Sequence, residues 1–137
     1  MYIIVLIINT ISLEDYFNNR VKNLNCRKDT SAYIANTLHN YKNSVYDFTN
    51  KSLTLEFADA KFNMSYKRFQ ELADYILFME ATFPNALSGA SMEYYHSIAQ
   101  SAYYRCYTMM RSWVLFEEIA DRFPNLIIQL HDEIQLF

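Results

Sequence analysis

One glycine, Gly89, and two prolines, Pro84 and Pro124, serve a chain of 137 residues. That scarcity restricts the fold more than any other feature. A sandwich or barrel of short strands reverses direction roughly every 8–12 residues, and its turns draw on Gly, Pro and Asn for the backbone angles they need. A chain with so few of the first two is expected to consist of helices with short connections. Apolar residues make up 52% and aromatics 17%, enough for a core, and a formal net charge of −3 is too small to hold the chain open. The length corresponds to one domain. The expected fold is therefore all-α, a single-domain bundle of about six helices.

Periodicity and cap residues place those helices. Ser12 reads as the cap of a first helix whose apolar positions are Leu13, Phe17, Val21 and Leu24. Asp29 or Thr30 opens a second, with Ile34, Leu38, Tyr41, Val45 and Phe48 on one face and a stop near Asn50. "SLTLEFADAKF" fits both periods: Leu53, Leu55 and Phe57 alternate as in a strand, while Leu53, Phe57 and Ala60 fit a helix. With no second strand pattern to pair with, helix is expected. Ser65 caps a fourth helix lined by Phe69, Leu72, Ala73, Ile76 and Phe83 and ended by Pro84, and a loop containing Gly89 follows. Ser91 caps a fifth helix running to about Met110. Ser112 can cap a last one, in which Pro124 either makes a kink or starts a new helix.

Charge and cysteines bound the surroundings. Twelve Lys and Arg against fifteen Asp and Glu create no field that would draw a phosphate backbone, so no nucleic-acid partner is expected. Arg20, Lys22, Arg27 and Lys28, the nearest thing to a basic cluster, sit where cations complement a helix C-terminus. Cys26 and Cys106 have neither metal nor redox spacing and read as small hydrophobes, which fits a reducing cytoplasm. Residues 1–8 stand apart as an apolar extension. "YIIVLII" is too short for a membrane span, which takes about twenty residues. It also lacks the basic leader and small-residue cleavage site of a signal peptide. Its β-branched residues favour a strand locally, and packing or self-pairing is expected to cover it.

Few residue sets point to chemistry. His39, His96 and His131 fall on three different expected helices. Glu93 and His96 have the Glu-x-x-His spacing of a carboxylate di-iron site, but in one copy where such sites use two. His96 and Cys106, ten residues apart, are separated by about 15 Å along one helix and cannot form a dyad. No Gly-x-Ser-x-Gly elbow is present, and one glycine cannot build a phosphate-cradling loop. Glu118 and Arg122 form a favourable i,i+4 pair, and His131 to Glu133 read as a solvated last turn.

The stretch "EYYHSIAQSAYYRCYTMM", Glu93 to Met110, is apolar or aromatic nearly all round, as a buried helix is. Ser97, Ala99, Ser101 and Ala102 would admit a neighbouring helix closely, with tyrosines around the contact. A central packing helix is expected, with one polar stripe open to a cleft or a partner.

Four segments resemble a family of uncharacterised small helical bacterial proteins. "TSAYIANTLHNY" (Thr30 to Tyr41) is similar to that family's "VSFYLANLL", and "LADYILFMEATFP" (Leu72 to Pro84) to its "LGDxALFxxGFFP". "YYHSIAQSAY" (Tyr94 to Tyr103) resembles "YYxxMGxxAY", and "FEEIADRF" (Phe116 to Phe123) resembles "FRELAxxF". The likeness spans roughly residues 30–130 and implies a small helical domain without a known activity. This chain carries Ala73, Ala99 and Gln100 where the family tends to have glycine, which bears on any site needing close backbone approach. A polar site shared with the family would involve Asp74, Tyr94, Tyr95, Ser101 and Tyr103.

Together these features describe a non-enzymatic cytoplasmic interaction or adaptor-type protein, self-associating or bound to another protein, with no cofactor. The alternative from another class is a small-molecule or haem-binding bundle using His96, Tyr103 and Asp74. Because the periodic pattern starts only after residues 1–8, a chain truncated to begin at Asn9 is expected to keep its helical circular dichroism and to associate less. Outright unfolding of that truncation would place the extension in the core.

Overall fold

Three serines open three helices by the same device. The Oγ atoms of Ser52, Ser65 and Ser91 accept hydrogen bonds from the backbone N–H groups of Leu55, Arg68 and Tyr94, at 3.3, 3.2 and 3.1 Å. Each satisfies a donor that the first helical turn leaves without a partner. A computed structural model describes residues 10–42, 48, 51–83, 87, 90–110 and 113–134. The described residues form six helices: α1 (Thr10–Val21), α2 (Lys28–Lys42), α3 (Leu53–Asn63), α4 (Tyr66–Thr82), α5 (Met92–Met109) and α6 (Leu115–Glu133). Among the described residues there is no strand, and no helix is long and apolar enough to cross a membrane. The all-α bundle expected from the sequence is the fold observed, and the ambiguous third segment is helical.

Several boundaries differ from the sequence reading. α1 includes Thr10, so Ser12 lies inside the helix and does not cap it. α2 starts at Lys28 and is described as far as Lys42. Phe48 is buried without being helical, its ring 4.9 Å from that of Tyr75. α6 begins at Leu115, with Val114 at the cap position and no side-chain cap. The N–H groups of Trp113, Phe116 and Glu117 instead bond carbonyls three residues back, a tight turn leading into the helix. Residues 1–8, Val45, Asn50, Pro84, Gly89 and Ser112, each given a part in the sequence reading, lie outside the described residues.

The α3–α4 link shows how a chain poor in glycine turns. Met64 adopts φ 49°, ψ 47°, the left-handed region where glycine is usual. Its N–H bonds Lys61 O at 3.2 Å and the N–H of Ser65 bonds Ala60 O at 3.1 Å, a Schellman closure. Ser65 then caps α4, so two residues end one helix and begin the next.

α5 packs between α4 and α6 and also meets α3, while α6 reaches α1, α2 and α4 as well. The core holds the side chains of Phe69, Leu72, Ile76, Ala99, Ala102, Tyr103, Phe116 and Phe123, among others. The turn between α1 and α2 is pinned to α6 by polar contacts. Asn25 N–H donates to Gln129 Oε1 at 2.9 Å, Arg27 N–H donates to Glu118 Oε1 at 3.1 Å, and Arg122 donates to the Asn25 carbonyl. Glu118 and Arg122, 3.7 Å apart, thus do more than pair along one helix.

α6 also settles the role of Pro124, which lies inside one continuous helix. A proline has no N–H, so the carbonyl four residues earlier, that of Ala120, loses its helical partner. Gln100 Nε2 on α5 donates to that carbonyl at 2.9 Å. The bond ties α5 to α6 at the one place where α6 cannot complete its own ladder. Gln100→Leu is expected to cost about 1–3 kcal/mol, because a poorly exposed carbonyl is left without a donor. In a Pro124→Ala background, where the helix supplies its own N–H, the cost should shrink markedly. Urea denaturation of the double-mutant cycle measures the coupling, and purely additive costs would contradict this account.

Candidate functional site

The first polar centre is built around Asp74, in the middle of α4. Tyr33 Oη from α2 donates to it, lying 2.7 Å from Oδ1 and 2.9 Å from Oδ2, and Tyr103 Oη from α5 donates to Oδ1 at 2.7 Å. Gln70, one turn before Asp74, donates its Nε2 hydrogen to Tyr33 Oη at 2.9 Å and so orients that hydroxyl. The ring of Tyr103 is fully buried and stacks on Phe116 of α6, centroids 6.0 Å apart, while Tyr33 meets Phe116 edge-on at 5.3 Å. Four helices therefore converge on one carboxyl group.

The chemistry of this centre follows from its surroundings. Burial pushes the Asp74 carboxyl up from 3.8 to about 7, against the two tyrosine hydrogen bonds that favour its charged form. Tyr33 and Tyr103 are driven well above the usual phenol value, first by burial and then by the Asp74 charge. Cys106 is pushed to about 12 by burial and by the same charge. Its thiol is held protonated, the opposite of what a nucleophile needs. The arrangement is a carboxylate receiving two phenolic hydrogen bonds, apt to carry or release one proton near neutrality.

His96 does not join Asp74. It is buried on α5, its ring edge-on to Phe123 at 5.2 Å, with Nε2 3.8 Å from Glu80 Oε2 on α4. Neither atom has a hydrogen-bond partner among the described residues. His131 Nε2 donates to the Glu80 carbonyl at 2.5 Å, so His131 is not a solvated tail residue. Glu93, the other half of the Glu-x-x-His spacing, is exposed and takes no part. Among the described residues no three His, Cys, Asp or Glu side chains are placed to hold a metal ion.

The remaining sequence candidates are dispersed. Tyr94 is exposed and shares a hydrogen bond with Thr54 across to α3, whereas Tyr95 is buried. Ser101 is exposed and lines a cleft of about 600 Å³ between α3, α5 and α6. Ser97 lines the same cleft, so the two serines leave room for solvent, while Ala99 and Ala102 alone admit the close helix contact. Of the six candidates, Asp74 and Tyr103 meet directly. Sequence reasoning missed Tyr33, Gln70 and Glu80. Glu80 carried a signal: it falls four residues after Ile76, a charge on an otherwise apolar stripe.

No family model, curated protein or solved structure matches the chain.

Asp74 gives a pH dependence of known sign. A carboxyl whose folded value exceeds its unfolded one binds more protons when folded, so stability falls as pH rises through the interval from 3.8 to about 7. Asp74→Asn keeps an acceptor for both phenols and cannot ionise. The stability of the wild type relative to Asp74→Asn is therefore expected to decline steadily over that interval. Chemical denaturation of both chains at matched pH values measures it. A difference that grew with pH would mean that the charged form is the one the fold prefers.

Proposed function

We propose that the protein is a non-enzymatic interaction protein of the cytoplasm that associates with a second copy of itself through the outer face of α3. The observation that carries this reading is the exposure of Phe62, at 88%, together with Leu55 at 68% and Met64 at 72%. Leu55 and Phe62, seven residues apart, lie on the side of the helix opposite its buried residues, Leu53 and Ala60. Apolar residues turned fully outward in this way mark contact surfaces when they cluster. The internal chemistry supports the non-enzymatic part. The Asp74 centre has its tyrosine donors bonded inward, and Cys106 is held as a thiol. The haem alternative draws less support, because His96 is turned toward Glu80 and Phe123 within a contact between helices.

A two-fold contact would place each substituted residue in the interface twice. Phe62→Glu should therefore yield a monomer with unchanged helical circular dichroism, while the wild type shows concentration-dependent mass in sedimentation equilibrium. A wild type that stays monomeric at its highest attainable concentration, or a Phe62→Glu chain that associates equally well, would overturn the reading.

A further inference from the structure

The cleft between α3, α5 and α6 collects polar groups that the fold leaves unused. Lys61 enters from α3 and Arg105 from α5. Their placement is set by one aromatic pair. Phe57 and Phe69 meet edge-on at 5.7 Å, Lys61 Nζ lies 5.0 Å from the centre of Phe57, and Arg105 Cζ lies 6.0 Å from the centre of Phe69. Cation–π contact of this kind restrains both charged side chains at the cleft. Among the described residues neither cation forms an ion pair, whereas Arg27, Arg68 and Arg122 each have a carboxylate within 4 Å, at 3.0, 2.5 and 3.7 Å.

The hydroxyls tell the same story. Ser97, Ser101 and Tyr104 project from one stripe of α5 into the cleft, and none makes a hydrogen bond among the described residues. Ser31 and Thr108, by contrast, both donate to backbone carbonyls on their own helices. Gln100, at the same wall, is already committed to Ala120, which fixes its side chain. Asp121 on α6 supplies an acceptor. A volume of about 600 Å³ lies within the range of small-molecule sites, roughly 300–1,000 Å³.

We infer that this cleft binds a small hydroxylated organic anion, its oxyanion held by Lys61 and Arg105 and its hydroxyls by Ser97, Ser101 and Asp121. Two unpaired cations call for an oxyanion, and charge-assisted bonds to it are the strong ones. The serine hydroxyls and the Asp121 carboxylate call for hydroxyl groups on the remainder of the ligand, and an open cleft of about 600 Å³ has room for a molecule the size of a sugar phosphate. The inference does not depend on self-association, because Phe57 and Lys61 face the cleft while Leu55 and Phe62 face away from the core.

The test is a titration of the folded full chain, followed by amide chemical shifts, with ribose 5-phosphate as probe and inorganic phosphate and ribose as its two halves. Ribose 5-phosphate should produce saturable shifts in residues 57–61, 97–105 and 120–121, with an affinity at least about tenfold above either half. Lys61→Ala and Arg105→Ala should each weaken it about tenfold or more. Ser101→Leu, which fills space without altering charge, should abolish binding, and Phe62→Glu should leave it intact. Circular dichroism of each variant confirms that it is folded. Absence of saturable shifts, equal binding of inorganic phosphate alone, or indifference to Arg105→Ala would overturn the assignment.

Discussion

A carboxyl group at the middle of α4 sets the relation of the helices around it. Asp74 receives Tyr33 from α2 and Tyr103 from α5, and both phenols reach it only at one axial register of their helices. Moving either helix by a turn, about 5.4 Å, would leave polar atoms without partners in a poorly solvated place, which costs more than the bonds themselves contribute. Phe116 extends the constraint to α6 by stacking on Tyr103. Apolar contacts supply most of the stabilisation in a core of this kind but are tolerant of sliding. The hydrogen bonds to Asp74 discriminate among the registers that apolar packing would accept.

Elsewhere the chain manages without the residues that usually break helices cleanly. Met64 takes the left-handed conformation between α3 and α4, at a cost of roughly 1–2 kcal/mol for a side chain in that region, and the two closing hydrogen bonds offset part of it. Pro124 is kept inside α6, where Gln100 replaces the missing donor. The α1–α2 turn has its backbone groups satisfied by Gln129, Glu118 and Arg122 of α6. In all three places backbone groups that a turn would leave without partners find them in a few specific atoms, and two of the three take them from another helix.

α5 presents two different faces. One side, with Ala99, Ala102, Tyr103 and Cys106, is sealed into the bundle. The other, with Ser97, Ser101, Tyr104 and Arg105, opens on the cleft. α3 is divided in the same manner: Leu53 and Ala60 face inward, Phe57 and Lys61 flank the cleft, and Leu55 and Phe62 face solvent. A helix so weakly committed to the core leaves surface for contacts outside the domain.

Caps, helical stripes and the near-absence of glycine are local properties, and the sequence by itself determined what depends on them: an all-α bundle, the starts of α4 and α5 at their serine caps, and the end of α4 just before Pro84. Asp74 and Tyr103 were among six candidate residues, four of which proved to lie elsewhere. Which residues meet was decided by the tertiary structure alone. Tyr33 and Asp74 are 41 positions apart, Gln100 and Ala120 are 20 apart, and Glu80 faces His96 across two helices. Helical periodicity reports which side of a helix is buried. It carries no information on which neighbour lies against that side or at what height, because that choice is made by the joint satisfaction of buried polar atoms from several helices at once.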